Sequence, residues 1–249
     1  MATDGTSSPT ARPVARATTV LWDIDGTLVK SGGVAARAFL DAVAEVTGAR
    51  PSNERRDYGG RLDTEIAAML LTAVNADLAL APDVLKTLER LIGERLADLR
   101  AQTSAHPGVG ALLATLAEAG LRQTVVTGNI PAVARHKLEA GGLVPPIDLA
   151  FGGYGDSAPD RAAVARFALG RLAGSGWQPD PGEVWIVGDT PRDLACARAV
   201  GIRCALVATG HRDAAELSGL GADIVLPDLS DPRPLLDLWG MTQLPSVPT

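Results

Sequence analysis

The chain alternates short apolar segments with helices, and this alternation restricts the possible folds more than any other feature. One predicted helix begins at Pro131 and ends at Gly141-Gly142. Another begins at Pro191 and ends at Gly201. Short segments rich in β-branched residues predict strands over Thr19–Trp22, Gln123–Val126, Asp148–Phe151, Glu183–Val187, Arg203–Val207 and Ala222–Leu226. Strands that alternate with single helices predict an α/β fold, with a parallel sheet between two layers of helices.

One segment interrupts this alternation. Residues 31–104 show apolar residues at helical spacing and contain no predicted strand. A connection of this length is too long for a simple crossover between neighbouring strands. We therefore predict an all-helical cap over 31–104, inserted into a core formed by 18–30 and 105–240. Residues 1–17 are predicted to be a disordered tail, and 241–249 a C-terminal tail.

Composition excludes several kinds of protein. The net charge of −6 gives no electrostatic reason to bind nucleic acid or an acidic membrane surface. Apolar runs are shorter than a spanning helix needs, and residues 1–17 lack the apolar segment of a signal peptide. The two cysteines, Cys196 and Cys204, are not in a CxxC motif, so we expect a cytoplasmic protein.

Polar groups follow three of the predicted strands. The first strand is followed by Asp23-Ile24-Asp25-Gly26-Thr27, the second by Thr127-Gly128-Asn129, and the fourth by Gly188-Asp189-Thr190 with Asp193 one turn later. Taken singly, each segment is equally explained as a strand end with an Asx turn or a helix cap. Together they lie at the carboxyl edge of one sheet, where ligands bind in this fold class. Carboxylates suit Mg²⁺, and helix N-termini suit a phosphate.

A phosphate beside several carboxylates requires a positive side chain. The three lysines of the chain are Lys30, Lys86 and Lys137, and none follows Lys137, so a cation from the later strands has to be an arginine. Arg161 begins the helix that precedes the fourth strand, at the end nearest the carboxyl edge of the sheet. We therefore predict that Arg161 neutralises the phosphate.

The order of these motifs resembles that of the haloacid dehalogenase-like superfamily. The resemblance is carried by DIDGT at 23–27, Thr127, Arg161 and GDTPRD at 188–193, and it extends from Thr18 to about Trp239. The third motif is more often lysine in that family and is arginine here. The helical insert resembles the first cap type, found in phosphoglycolate phosphatase-like and β-phosphoglucomutase-like members. The resemblance implies a three-layer, Rossmann-like core.

It also implies a role for each motif. Asp23 would attack phosphorus and form an aspartyl-phosphate, while Asp25 would give a proton to the leaving group and later take one from water. Mg²⁺ would be held by the Asp23 carboxylate, the Asp25 backbone carbonyl and Asp189, with Asp193 orienting this set. Thr127 would bind phosphoryl oxygens, helped by Arg161.

Further residues are expected around the substrate. Gly26 and Gly128 would offer backbone N–H groups, and Asn129 would contact the substrate or its phosphate. Thr27 would steady the turn that holds Asp25. The cap segment Gly60-Arg61-Leu62-Asp63 resembles one that reaches toward the active site, so Arg61 and Asp63 are the predicted specificity residues.

Asp25 disfavours dehalogenation, because dehalogenases of the family lack that second aspartate. The predicted activity is hydrolysis of a small phosphorylated metabolite by a monomer or homodimer. A β-phosphoglucomutase-like transferase is the alternative enzyme, and a non-catalytic metabolite-binding module is the alternative from another class.

Overall fold

The computed structural model describes residues 16–52, 58–156 and 158–241. Its strands are β1 (Thr19–Trp22), β2 (Val29–Lys30), β3 (Ser104–Ala105), β4 (Arg122–Val125), β5 (Val184–Gly188), β6 (Arg203–Val207) and β7 (Ile224–Leu226). Five of them form one parallel sheet in the order β4-β1-β5-β6-β7. The predicted parallel sheet is therefore confirmed.

Helices cover both faces of this sheet. The α-helices are α1 (Val34–Thr47), α2 (Asp63–Ala73), α3 (Ala81–Glu94), α4 (Leu96–Gln102), α5 (Val109–Glu118), α6 (Pro131–Ala140), α7 (Arg161–Gly174), α8 (Pro191–Val200), α9 (Ala214–Ser218) and α10 (Arg233–Leu238). Apolar residues of α5, α6 and α10 pack on one face, and those of α7, α8 and α9 on the other. This gives the three layers of a Rossmann-like core.

The register of the central strands places the functional segments at one edge. In β1, Val20 and Trp22 face one helical layer and Leu21 faces the other, as the two-residue period of a strand requires. Trp22 at the end of β1 is paired with Val125 at the end of β4 and with Val187 of β5, so the three strands end within one residue of one another. The polar segments that follow these strands therefore begin side by side.

The prediction of a strand over Asp148–Phe151 is wrong. Leu149–Phe151 forms a 3₁₀ helix, which begins where the Asp148 side chain accepts a 3.0 Å hydrogen bond from the N–H of Ala150. The sheet gains one isolated parallel bridge there, between Val126 and Gly153. A local hydrogen bond between a side chain and the backbone has replaced the hydrogen bonds of a strand at this edge of the sheet.

Helices α1–α4 lie between β2 and β3 and share one apolar cluster, which also includes Ile130, just before α6, and Val133 of α6. The two connections of these helices to the core are joined, because β2 and β3 pair antiparallel with Val29 opposite Ala105. The sequence analysis did not foresee β2 or β3, which are strands of two residues each.

Most of the predicted N- and C-terminal tails lie outside the described residues. Ala17 and Met241, which were assigned to those tails, are buried in the apolar cluster that contains Trp239. The N–H of Ala17 also donates to the carbonyl of Trp239, so the core extends one residue further at each end than predicted. Among the described helices, none has the length and apolar character that crossing a bilayer requires.

Candidate active site

The turn after β1 brings its two aspartates to different places. Asp23 continues the sheet, since its N–H donates to the carbonyl of Val187 at 2.9 Å. Gly26 then has φ +87°, and a Cβ at this position would lie 2.5 Å from Oδ2 of Asp189. Glycine is therefore required both for the backbone conformation and for the close approach of Asp189. The sharp turn leaves Asp23 buried and about two fifths of the Asp25 side chain (42%) exposed.

Arg161 joins Asp23 to Asp193. Its Nη2 lies 2.5 Å from Oδ1 of Asp23 and 2.5 Å from Oδ1 of Asp193, and its Nε is 3.1 Å from the latter oxygen. Burial alone would lower the pKa of Arg161, but the two carboxylates raise it, so the guanidinium stays charged. The arginine predicted at the start of α7 is therefore buried among the acidic residues of the site.

Three buried carboxylates lie close enough to share a cation. Asp23, Asp189 and Asp193 each offer an oxygen, and these oxygens lie within 4.8 Å of one another. Burial, opposed by Arg161, raises the pKa of Asp23 to about 7. Burial, together with the charges of Asp23 and Asp193, raises the pKa of Asp189 to about 9. One guanidinium cannot balance three ionised carboxylates, so this donor set fits a divalent, oxygen-preferring ion such as Mg²⁺.

Asp25 belongs to a second polar cluster. Its Oδ2 accepts from Nζ of Lys137 at 2.5 Å and from Nδ2 of Asn129 at 2.8 Å, and its Oδ1 accepts from Oγ of Ser31 at 3.1 Å. The same Nδ2 group lies 2.8 Å from Oγ1 of Thr127. Burial alone would raise the pKa of Asp25, but the Lys137 ammonium and these hydrogen bonds hold it below its usual value. These contacts favour the carboxylate form of Asp25 over the acid form.

The sequence analysis missed Lys137, because it searched for the positively charged side chain only among residues that follow Lys137 in the chain. Lys137 is on α6, and its side chain is 5% exposed. A signal was available: Lys137 follows Val133 by four residues and precedes Leu138, so it falls on the apolar face of the helix. A lysine in such a position requires a buried partner.

The loop that begins α2 is attached directly to the core. The N–H of Asp63 donates to the carbonyl of Gly128 at 2.7 Å, and Oδ2 of Asp63 accepts from the N–H of Ile130 at 2.8 Å. A Cβ on Gly128 would lie 1.9 Å from the carbonyl oxygen of Arg61, so only glycine allows this approach. Burial raises the pKa of Asp63 to about 7. Asp63 thus fastens the inserted helices to the loop after β4.

These groups surround a cavity of about 600 Å³ between the inserted helices and the sheet edge. Asp23, Asp25, Thr127 and Arg161 line it from the core. Facing them, the inserted segment contributes polar and apolar groups, among them Arg61, Asp63, Phe39, Tyr58 and Ile66. The predicted residues Gly26, Gly128, Asn129 and Asp189 also reach its wall.

Thr27 and Asn129 make hydrogen bonds within the site that the sequence analysis did not foresee. Thr27 is fully buried, and its Oγ1 donates to Oδ1 of Asp189 at 3.0 Å, so it supports that carboxylate and does not face the cavity. Asn129 lines the cavity, but its amide oxygen accepts from Lys137 at 2.7 Å and its amide nitrogen is bonded to Asp25 and Thr127. The polar atoms of the Asn129 side chain are thus hydrogen-bonded to other residues of the site.

Comparisons with known proteins identify relatives over most of the chain. The model of a family described as haloacid dehalogenase-like hydrolase matches residues 20–198. A phosphoglycolate phosphatase of Rhodospirillum rubrum is 32% identical over 239 residues, covering 90% of this chain and 95% of that relative.

Solved structures show the same fold. The protein CbbY of Rhodobacter sphaeroides in complex with xylulose-(1,5)-bisphosphate matches with a TM-score of 0.68 at 22% identity, over 86% of this chain and 96% of that chain. A putative β-phosphoglucomutase from Bacteroides vulgatus matches with a TM-score of 0.65 at 17% identity, over 91% of this chain and 90% of that chain. At these identities the likeness concerns the fold alone. Because the family model spans most of the chain and the curated relative nearly all of it, the chain belongs to the haloacid dehalogenase-like hydrolase family.

Proposed function

We propose that this protein is a Mg²⁺-dependent phosphatase that hydrolyses a small phosphate monoester through an aspartyl-phosphate intermediate. Its strongest support is the separation of the two aspartates after β1. Asp23 lies beside the carboxylates that suit a divalent cation, and Asp25 lies beside a lysine, away from that cluster. Two carboxyl groups in such different surroundings can serve as nucleophile and proton carrier.

The acidic cluster would hold the metal. Asp23, Asp189 and Asp193 would bind or orient Mg²⁺, with the backbone carbonyl of Asp25 as a further ligand, and the bound ion would supply positive charge to the phosphoryl oxygens. Thr27 keeps Asp189 in place through its 3.0 Å hydrogen bond. Arg161 orients the nucleophile, because its Nη2 already donates to Asp23.

The first step is the transfer of the phosphoryl group to the protein. A carboxylate oxygen of Asp23 forms a bond to phosphorus while the ester P–O bond breaks. Asp25, which takes up a proton as the anionic phosphate enters beside it, gives that proton to the departing alkoxide, which leaves as an alcohol. Thr127 and the N–H groups near Gly26 and Gly128 bind the phosphoryl oxygens.

The second step returns the protein to its starting state. Asp25 is now a carboxylate and takes a proton from a water molecule as that water attacks phosphorus. The P–O bond to Asp23 breaks, phosphate leaves, and Asp25 is again protonated. The Asp25 carboxyl group gives a proton in the first step and recovers one in the second, so no other acid or base is required.

The inserted helices serve as a lid over this reaction. The bonds of Asp63 to Gly128 and Ile130 hold the loop that begins α2 against the phosphate site. Such closure excludes water from the aspartyl-phosphate until the alcohol has left. The leaving part of the substrate would contact Arg61 and the apolar wall of the cavity formed by Phe39 and Ile66. The name of the curated relative suggests 2-phosphoglycolate as the first ester to test.

The test is release of inorganic phosphate from a panel of esters, with and without Mg²⁺. The panel contains 2-phosphoglycolate, sugar monophosphates and p-nitrophenyl phosphate. We expect hydrolysis that EDTA abolishes and that Asp23→Asn lowers by at least about 10³-fold. Asp98→Asn, at an exposed carboxylate on α4, is the matched control and should keep full activity.

Two results would contradict the proposal. Absence of activity on every ester would favour the non-catalytic binding module. Conversion of a sugar phosphate into an isomer without phosphate release would favour the transferase. Mass spectrometry of acid-quenched protein should find the added phosphoryl group on the peptide that contains Asp23. The cytoplasmic location and the monomer or homodimer state stay predictions, the latter to be measured by light scattering.

A further inference from the structure

We propose that Lys137 is a positioning residue that anchors one carboxylate oxygen of Asp25, so that the other oxygen meets the departing oxygen of the substrate. This inference rests on the proposed function, because it assigns Lys137 a part in the proton transfer by Asp25. Lys137 acts through Asp25 and is not expected to touch phosphorus.

The contacts of Lys137 are those of an anchor. Its Nζ lies 2.5 Å from Oδ2 of Asp25 and 2.7 Å from Oδ1 of Asn129, while 5% of its side chain is exposed. A buried ammonium is costly unless it is paired and hydrogen-bonded, and both conditions are met here. The lysine is fixed from α6, a regular helix of ten residues, so its head group has little freedom to move.

Asn129 connects Lys137 and Asp25 to a third group, the hydroxyl of Thr127. Its amide nitrogen lies 2.8 Å from Oδ2 of Asp25 and 2.8 Å from Oγ1 of Thr127, and its amide oxygen accepts from Lys137. One side chain therefore links the proton carrier to the hydroxyl that is proposed to bind the phosphoryl group. The distance between these two groups is set by Asn129, whose own orientation is set by Lys137.

The two oxygens of Asp25 are consequently unequal. Oδ2 has both strong donors, whereas the partner of Oδ1 is the hydroxyl of Ser31 at 3.1 Å. A leaving-group oxygen in the cavity can replace that single hydroxyl more easily than it can displace an ammonium and an amide. The geometry thus assigns proton transfer to Oδ1.

The two buried cations of the site have separate partners. Arg161 bonds Asp23 and Asp193, whereas Lys137 bonds Asp25. Loss of Lys137 should therefore leave the nucleophile and the acidic cluster in place. This separation lets an experiment distinguish a defect in proton transfer from a defect in phosphoryl binding.

The experiment compares two esters in wild type and Lys137→Met. One is the alkyl phosphate that the wild type hydrolyses fastest, whose alkoxide needs a proton to leave. The other is 2,4-dinitrophenyl phosphate, whose phenolate leaves without one. The quantity measured is kcat/KM, because it reports the steps up to departure of the leaving group. We expect a loss of about 10²-fold for the alkyl ester and less than about 3-fold for the dinitrophenyl ester.

Controls separate positioning from folding. Lys137→Arg, which keeps a charged donor, should recover part of the alkyl-ester activity, and Lys86→Met, at an exposed lysine on α3, should change neither ester. In an Asp25→Asn background, Lys137→Met should cause little further loss, since it would act through a group already removed. Circular dichroism and thermal unfolding establish that each variant is folded.

The inference is overturned if Lys137→Met lowers kcat/KM equally for both esters, or lowers neither. It is also overturned if its effect in the Asp25→Asn background is as large as in the wild type. A wild type that hydrolyses neither ester would instead refute the proposed function, and the inference with it.

Discussion

Asp63 accepts a 2.8 Å hydrogen bond from the backbone N–H of Ile130, the residue that precedes α6. This bond connects the first residue of α2 to the residue just before the helix that carries Lys137. The Asp63 carboxylate is therefore one of the groups that join the inserted helices to the edge of the sheet where the candidate site lies. A substitution at Asp63 should therefore change both the stability of the closed arrangement and the binding of the substrate.

Removing the Asp63 side chain should weaken closure. Asp63→Ala leaves the buried N–H of Ile130 without its acceptor, which costs about 1–3 kcal/mol. We expect a lower melting temperature and a higher KM for the best substrate. Asp63→Asn keeps an acceptor oxygen and is the matched control, so it should retain a KM near that of wild type. Equal KM values in all three proteins would show that this bond does not hold the lid.

The stability of the protein should depend on pH through Asp63. Burial raises the pKa of this carboxyl from 3.8 to about 7, so the folded state binds its proton more tightly than the unfolded state does. Its stabilising contribution is complete below about pH 4 and is lost as the pH rises through 7. Relative to Asp63→Asn, whose side chain does not titrate, wild type should lose roughly 2–4 kcal/mol between pH 4 and pH 8.

Urea unfolding of both proteins across this pH range, in EDTA, measures the difference directly. Below about pH 4 the two free energies of unfolding should be similar, and the variant should be the more stable one above pH 7. A difference that does not change with pH would mean that Asp63 titrates alike in the folded and unfolded states.

Arg161 should be needed for folding as well as for activity. Arg161→Met leaves Asp23 and Asp193 buried without their shared cation, and breaking a buried ion pair from one side costs about 3–5 kcal/mol. Arg161→Lys keeps the charge but loses the second donor branch, so we expect an intermediate loss. Thermal unfolding ranks the three proteins. An unchanged melting temperature in Arg161→Met would show that this ion pair contributes nothing to stability.

Gly210 should control metal affinity. A Cβ at this position would lie 1.8 Å from Oδ2 of Asp189, so Gly210→Ala has to displace that carboxylate. We expect at least a 10-fold weaker affinity for Mg²⁺, measured by isothermal titration calorimetry. Gly219→Ala is the control, because the nearest atom to its Cβ would be a backbone oxygen at 3.7 Å. Equal affinities in the two variants would remove Asp189 from the metal site.

Much of the fold follows from local patterns. Short runs of β-branched residues, alternating with helices that begin at proline and end at glycine, predict the parallel sheet. The strands that precede Asp23, Thr127 and Asp189 are all present in it. The error at Asp148–Phe151 has a local cause, since one side-chain hydrogen bond favoured a 3₁₀ turn over a strand at the sheet edge. Propensity is a weak guide where a single polar contact decides between two conformations.

The sequence predicted where the residues of the candidate site lie, but not which side chains they contact. The order of the motifs places Asp23, Asp25, Thr127, Arg161 and Asp189 at one edge, and the structure brings all five around one cavity. Their roles in catalysis stay predictions. Nothing in the local sequence around Thr27 indicates that its hydroxyl bonds Asp189, which is 162 positions away in the chain.

The α/β architecture, the run of helices after the first strand and the family could be predicted from the sequence, because hydrophobic periodicity and short motifs are properties of neighbouring residues. The pairing of charged side chains that are distant in the chain depends on the three-dimensional packing. Lys137 and Asp25 are separated by 112 positions, yet their charged atoms lie 2.5 Å apart. Such a contact depends on how α6 packs against the sheet, and packing is set by the whole core at once.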